Sequence, residues 1–177
     1  MAYQLPELGI LTLAMLISII SGGINLSTVN TASLSGVVSA LIMVNFIKPE
    51  MNNATVILWI SIAIIAAIAT SLLCGLFNGF LIGIVEVTPI LVTLGTLTLY
   101  RGIALLIAGG RAGGISGLPS QFLWIGNERV FNIPVAFLIF VVVTVIIFII
   151  MKTSFGLSLY MIGTNPVAAK FSGINTG

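Results

Sequence analysis

Residues 134–151 read PVAFLIFVVVTVIIFIIM, a run in which Thr144 is the only polar side chain. No other feature limits the fold as severely. A helix that crosses a bilayer needs roughly 20 predominantly apolar residues. Inside hydrocarbon every backbone N–H and C=O must be paired within the protein, so the run is read as a helix. A helix apolar on all sides faces lipid or the interior of a bundle. Pro134 suits its first turn, where a missing N–H costs nothing.

The rest of the chain agrees with a lipid solvent. Of 177 residues, 59% are hydrophobic and 6% charged, against about 25% charged in soluble domains. Six basic and four acidic residues cannot cover a water-exposed surface of this size. A net charge of +2 without a basic-aromatic patch excludes a nucleic-acid partner. Cys74 is the single cysteine, so no internal disulfide can form, and histidine is absent. The commonest general base and metal ligand is therefore missing, and neither a metal nor another cofactor is expected. The first apolar run lacks a basic n-region, since residues 1–7 carry only Glu7, so no cleavable signal peptide is read.

Residues 89–108 form a second span, with Thr93, Thr96 and Tyr100 on one face and Thr98 roughly opposite. A polar stripe in a membrane helix lines a path or a bundle interior, or it holds helices together by hydrogen bonds. Residues 55–85 are longer than one span requires. They carry Ser71, Gly75, Gly79 and Gly83 at steps of four. This small-residue ridge is expected to pack against another helix, with Asn78 beside it as the candidate functional side chain. Residues 8–20 and 34–47 are apolar but short, and the polar segment SGGINLSTVNTAS (21–33) separates them. Short, Gly-interrupted apolar segments mark binding regions in transporters; an ordinary turn between two short helices is the other reading. Residues 109–133 form the longest polar connection, with Phe122 and Trp124 suited to an interfacial belt. Its glycines lack the Gly-Lys-Ser/Thr ending of a phosphate loop, so it is read as a flexible extramembrane loop.

Basic residues bias a loop towards the cytoplasm. Lys152 and Lys170 follow the last span, and Arg111 and Arg129 lie in the 109–133 loop, so the raw counts tie. With the tail inside, parity places 109–133 outside, Glu86–Thr88 inside, Lys48–Asn53 outside and the N-terminus outside. Arg101 is close enough to its helix end to snorkel towards a polar boundary.

Four segments occur in order and spacing: SGGINLS (21–27), GLFNGFLIG (75–83), TPILVTLGTLTLYRGIALLIAGG (88–110) and FGLSLYMIGTNPVAAKFSGI (155–174). Together they resemble the permease subunits of bacterial ABC importers for ribose and related simple sugars, including those for the furanose-derived autoinducer 2. The resemblance covers nearly the whole chain. It implies an all-α, polytopic transmembrane bundle of the ABC-importer permease type in the bacterial inner membrane. The chain is then one partial permease domain over residues 1–177, with a cytoplasmic coupling segment at about 152–177. It also implies three protein partners: an ATP-hydrolysing subunit, a second permease subunit (identical or not) and an extracytoplasmic sugar-binding protein. ATP hydrolysis falls to the partner, and the chain itself is not an enzyme.

Asn165 as N-cap and Pro166 in the first turn would start a short docking helix. Its docking residues are Gly163, Asn165, Pro166, Ala168, Ala169, Lys170, Ser172 and Gly173. Asn25, Asn78, Thr93, Thr96 and Tyr100 are the candidate pathway residues, all neutral, as a neutral sugar requires. The family commonly has an acid where Asn25 stands and an arginine where Leu157 stands. Its members begin one helix earlier and continue through further spans, so the chain is expected to be truncated at both ends and not to transport alone. Two alternatives are a branched-chain amino-acid permease and a non-transporting membrane scaffold.

Overall fold

The computed structural model describes residues 4–48, 51–110, 115–127, 129–130 and 133–174. Arg111, which enters the charge comparison, lies outside these residues. Among the described residues the chain is all-α apart from one hairpin of two-residue strands. The elements are α1 (Leu5–Ile20), α2 (Thr28–Phe46), α3 (Asn53–Gly83), α4 (Pro89–Ile107), α5 (Ser120–Asn127), β1 (Arg129–Val130), β2 (Ile133–Pro134), α6 (Val135–Met151), α7 (Ser154–Thr164) and α8 (Pro166–Phe171). The strands pair antiparallel, Val130 opposite Ile133, and deliver the chain into α6, with Pro134 at its N-cap.

Three helices, α2, α3 and α4, are long and apolar enough to cross a membrane. A fourth span arises if α6 and α7 count as one helix bent by 74°. The sharpness of that bend depends on Gly156, because a Cβ there would fall into the backbone of Met151. α1 is apolar but shorter, at 16 residues. α2 is longer than its apolar content suggested. Of the polar segment 21–33, residues 28–33 are helical and only 21–27 interrupt the helix. The polar side chains there find local acceptors. Thr28 Oγ1 donates to the Asn25 carbonyl and Ser35 Oγ to the Ala32 carbonyl, while Asn30 Nδ2 donates across to the Leu97 carbonyl of α4. A hydroxyl bonded to its own helix adds no unpaired group to the bilayer, so threonine and serine do not end a membrane helix.

α2 is the centre of the packing, lying along both α3 and α4, while α1 packs on α6. Leu34 of α2 inserts beside Cys74, Tyr100 and Ala104. Nearer the other end Met43 meets Val56, Ile60 and Ala63, and Phe122 of α5 closes over them. Phe122 is thus turned into the protein, whereas Trp124 stays exposed. The outer surface is dominated by exposed Leu, Ile, Val and Phe, including Ile65, Leu72, Leu73 and Phe77 of α3. In water such a surface would aggregate; against lipid tails it carries no penalty.

The small-residue ridge of α3 behaves differently from expectation. Gly75 and Gly79 are exposed, and a Cβ on either would meet no neighbour within 4 Å. The ridge packs on no described helix of this chain and lines an open groove with Leu72, Leu76 and Phe80. The face of α3 that does pack presents Val56, Ile60, Ala63, Cys74 and Asn78. Small size permits close approach but supplies no attraction, so the buried face is chosen by what α2 and α4 present to it.

Candidate functional site

The interruption at 21–27 brings three helix ends together. α2 begins there. Gly23 sits against Pro89 at the start of α4, and Gly22 sits against Gly163 near the end of α7. Gly22 adopts φ +88°, a left-handed conformation that the missing Cβ makes accessible. The resulting turn directs Asn25 back towards its own helix. Asn25 Oδ1 accepts from both the backbone N–H (3.0 Å) and the hydroxyl (2.8 Å) of Ser27.

From Ser27 a polar chain runs through the bundle. Asn78 Nδ2 donates to Ser27 Oγ at 2.9 Å. The Tyr100 hydroxyl lies 2.9 Å from the Cys74 carbonyl and 3.2 Å from Asn78 Oδ1, and shares its proton between them. Thr93 Oγ1 reaches the carbonyl of Ile24 (3.1 Å) and that of Pro89 in its own helix (2.8 Å). Ser27, Asn78, Thr93, Thr96 and Tyr100 are all buried. No buried side-chain nitrogen or oxygen among the described residues lacks a partner. The side chains are uncharged, so the network ties α2, α3 and α4 together without burying an unpaired ion.

Of the candidate pathway residues, Asn25, Asn78 and Thr93 converge on one pocket of about 160 Å³, whose walls also include Ser18, Ser21 and Ile82. Thr96 and Tyr100 do not reach it. Tyr100 sits with Leu34, Cys74 and Ala104, and the Thr96 hydroxyl faces the Thr93 carbonyl at 3.4 Å. Ser27 carries the middle of the network and was not singled out from the sequence. A serine two places after an asparagine at a helix start is a recognisable Asx-type turn, and that signal could have found it.

The other group of candidates lies at the same end of the bundle. Asn165 caps α8, its Oδ1 accepting from the Ala168 N–H at 3.0 Å, and Pro166 occupies the first turn, as the sequence suggested. Asn165, Pro166, Ala168, Lys170, Ser172 and Gly173 are exposed. Gly163 and Ala169 are turned inward: Gly163 packs against the α1 turn, and Ala169 is 1% exposed. The outward apolar groups of α8 are instead Val167 (64% exposed) and Phe171 (90%). They stand four residues apart, hence on one face. Neither was singled out from the sequence, although that spacing was the signal.

Over residues 1–177 the chain matches the family described as "Branched-chain amino acid transport system / permease component". It is 35% identical over 173 residues to the autoinducer 2 import system permease protein LsrD of Enterobacter sp. (strain 638), covering 95% of this chain and 50% of that protein. It is 33% identical to the protein of that name from Klebsiella pneumoniae, over 95% of this chain and 49% of the relative. For the one from Escherichia coli (strain K12) the figures are 32%, 94% and 49%. The chain thus spans about half the length of the curated relatives it matches. No solved structure matches it. The family is one of transport permeases, not enzymes. With its apolar helices, the chain is a multi-pass inner-membrane protein. A match to the family model over residues 1–177, with relatives aligned over about 95% of the chain that are named as import permeases, means that this chain belongs to the branched-chain amino acid transport system permease family.

Proposed function

We propose that this chain is a permease subunit of an ATP-driven sugar importer, forming part of the translocation pathway and docking an ATP-hydrolysing subunit through α7 and α8. The observation that carries the reading is the uncharged pocket of Asn25, Asn78 and Thr93, placed at the end of the bundle where α8 is presented. A cavity of about 160 Å³ has room for several waters. It suits a small neutral polyol, whose hydroxyls pair with amide and hydroxyl groups. The relatives are named for autoinducer 2 import, which favours a furanose-like solute. ATP is hydrolysed on the partner; its closure draws on the α8 region, and two permease subunits alternate between outward and inward openings. An extracytoplasmic binding protein supplies the solute. On this reading the α8 end is cytoplasmic, and residues 152–177 form the coupling segment.

The test is uptake of labelled furanose sugar into proteoliposomes holding the assembled permease and ATPase subunits. Losing one hydrogen bond to the solute removes about 1 kcal/mol, roughly a fivefold effect. Asn25→Leu and Asn78→Leu are each expected to lower uptake by at least that much, and unchanged uptake in both would sink the pathway assignment. The family description supports a second solute, a branched-chain amino acid. No charged side chain among the described residues lines the pocket to meet a zwitterion; competition by leucine but not by sugar would replace the first reading with this one.

A further inference from the structure

The α7–α8 segment and the pocket touch through bare backbone. A Cβ placed on Gly163 would fall on the Ile20 carbonyl oxygen and lie 3.2 Å from the Gly22 nitrogen. A Cβ on Gly22 would lie 3.4 Å from Gly163 Cα. No side chain intervenes on either side. Contacts between side chains absorb displacement by changing rotamer; a backbone-to-backbone contact has no rotamer to change, and close-packed groups pass a push on to the next atom. On one side of this contact, Gly163 is followed two residues later by Asn165, which caps α8. On the other side, residues 21–25 are the pocket wall. That wall is pinned at Gly23 by Pro89, at 3.2 Å from a Cβ placed there, and at Ile24 by the Thr93 hydroxyl at 3.1 Å.

We infer that Gly163 and the Ile20–Gly22 turn are positioning elements that convert movement of α7–α8 into a change in the Asn25–Asn78–Thr93 pocket. The inference rests on the docking and pathway reading above and goes beyond it by naming the contact through which the two communicate. Pushing α8 towards the bundle must displace the turn at Ile20–Gly22, and with it the wall carrying Ile24 and Asn25.

The experiment uses the chain assembled with its ATPase subunit in nanodiscs. Ser18→Cys, on the pocket wall, serves as a thiol-labelling reporter, with the buried Cys74 as the unlabelled background. The labelling rate is read without nucleotide and with ATP. With Gly163 intact the two rates are expected to differ by about fivefold or more, the low end of coupling between sites. Gly163→Ala is read at a saturating concentration of the ATPase subunit, so that any change in docking affinity drops out, and its two rates should agree within about twofold. Gly75→Ala, whose added Cβ meets nothing within 4 Å, should keep the nucleotide response. If Gly163→Ala fails to accumulate, Gly22→Asn, a residue that tolerates a positive φ and whose added Cβ would lie 3.4 Å from Gly163 Cα, is read in its place with the same expected loss. A nucleotide response as large in the glycine variant as in the parent overturns the inference and leaves the proposed function standing. No nucleotide response in the parent, or no binding of the ATPase subunit to it, overturns both.

Discussion

Asn78 of α3 bonds both Ser27, at the start of α2, and Tyr100 of α4, and replacing it by leucine measures what the polar network contributes. In the native protein its amide nitrogen donates to Ser27 Oγ at 2.9 Å and its oxygen receives the Tyr100 hydroxyl at 3.2 Å. Leucine removes both bonds. Neither partner is left stranded: Tyr100 keeps the Cys74 carbonyl at 2.9 Å, and Ser27 keeps Asn25 Oδ1 at 2.8 Å. The loss is therefore the worth of two interhelical bonds without the larger cost of an orphaned buried donor. Interhelical hydrogen bonds in membranes average about 0.6 kcal/mol and reach about 1.7. The expected destabilisation is about 1–3 kcal/mol, read from reversible unfolding in mixed detergent–SDS micelles. The companion change Ser27→Ala, and the double variant, complete a cycle. Because one bond joins the two residues, their effects should fall short of additivity by about 0.5–1 kcal/mol. An Asn78→Leu protein within ~0.3 kcal/mol of the parent, or strict additivity with Ser27→Ala, would refute the claim that the network holds α2 to α3.

Three further outcomes follow from particular positions. Phe171→Ala should leave unfolding within about 0.5 kcal/mol of the parent, since a 90% exposed ring has little packing to lose; affinity for the ATPase subunit should fall about tenfold or more, as for a buried aromatic anchor, and titration by fluorescence anisotropy checks both the sign and the size. Asn165→Ala removes the only side-chain cap on α8, about 1 kcal/mol of helix stability, and should weaken ATPase binding in the same titration, whereas Asn165→Ser should recover most of it. Gly75→Ala and Gly79→Ala add methyl groups into open space, so each should raise the chain's stability by about 0.5–1 kcal/mol through helix propensity; a loss of that size in the purified chain would show that the ridge is packed after all.

Much of this architecture was legible one residue at a time. The uninterrupted apolar run at 134–151 required a helix because hydrocarbon offers no backbone partner, and α6 is that helix. Asn165 before Pro166 required a helix start because the cap and the missing N–H are local properties, and α8 begins there. The interruption at SGGINLS was also visible, since two glycines in succession hold no helix. Where such local properties decide, composition and order suffice.

Facing decisions were different. Gly75 and Gly79 have the spacing of a packing ridge yet look outward, while Asn78 between them looks in. Thr96 and Tyr100 share a stripe with Thr93, but only Thr93 reaches the pocket. Ala169 is buried and Phe171, two residues on, is almost wholly exposed. Each of these outcomes depends on which neighbour arrives opposite the side chain, and that neighbour comes from a segment up to about seventy positions away, as Ile24 does for Thr93. The sequence by itself settled the solvent, the helices and their breaks, because those follow from each residue's own chemistry. The tertiary structure alone decided which polar groups meet, because lipid attracts no face of a helix over another and only specific contacts choose between them.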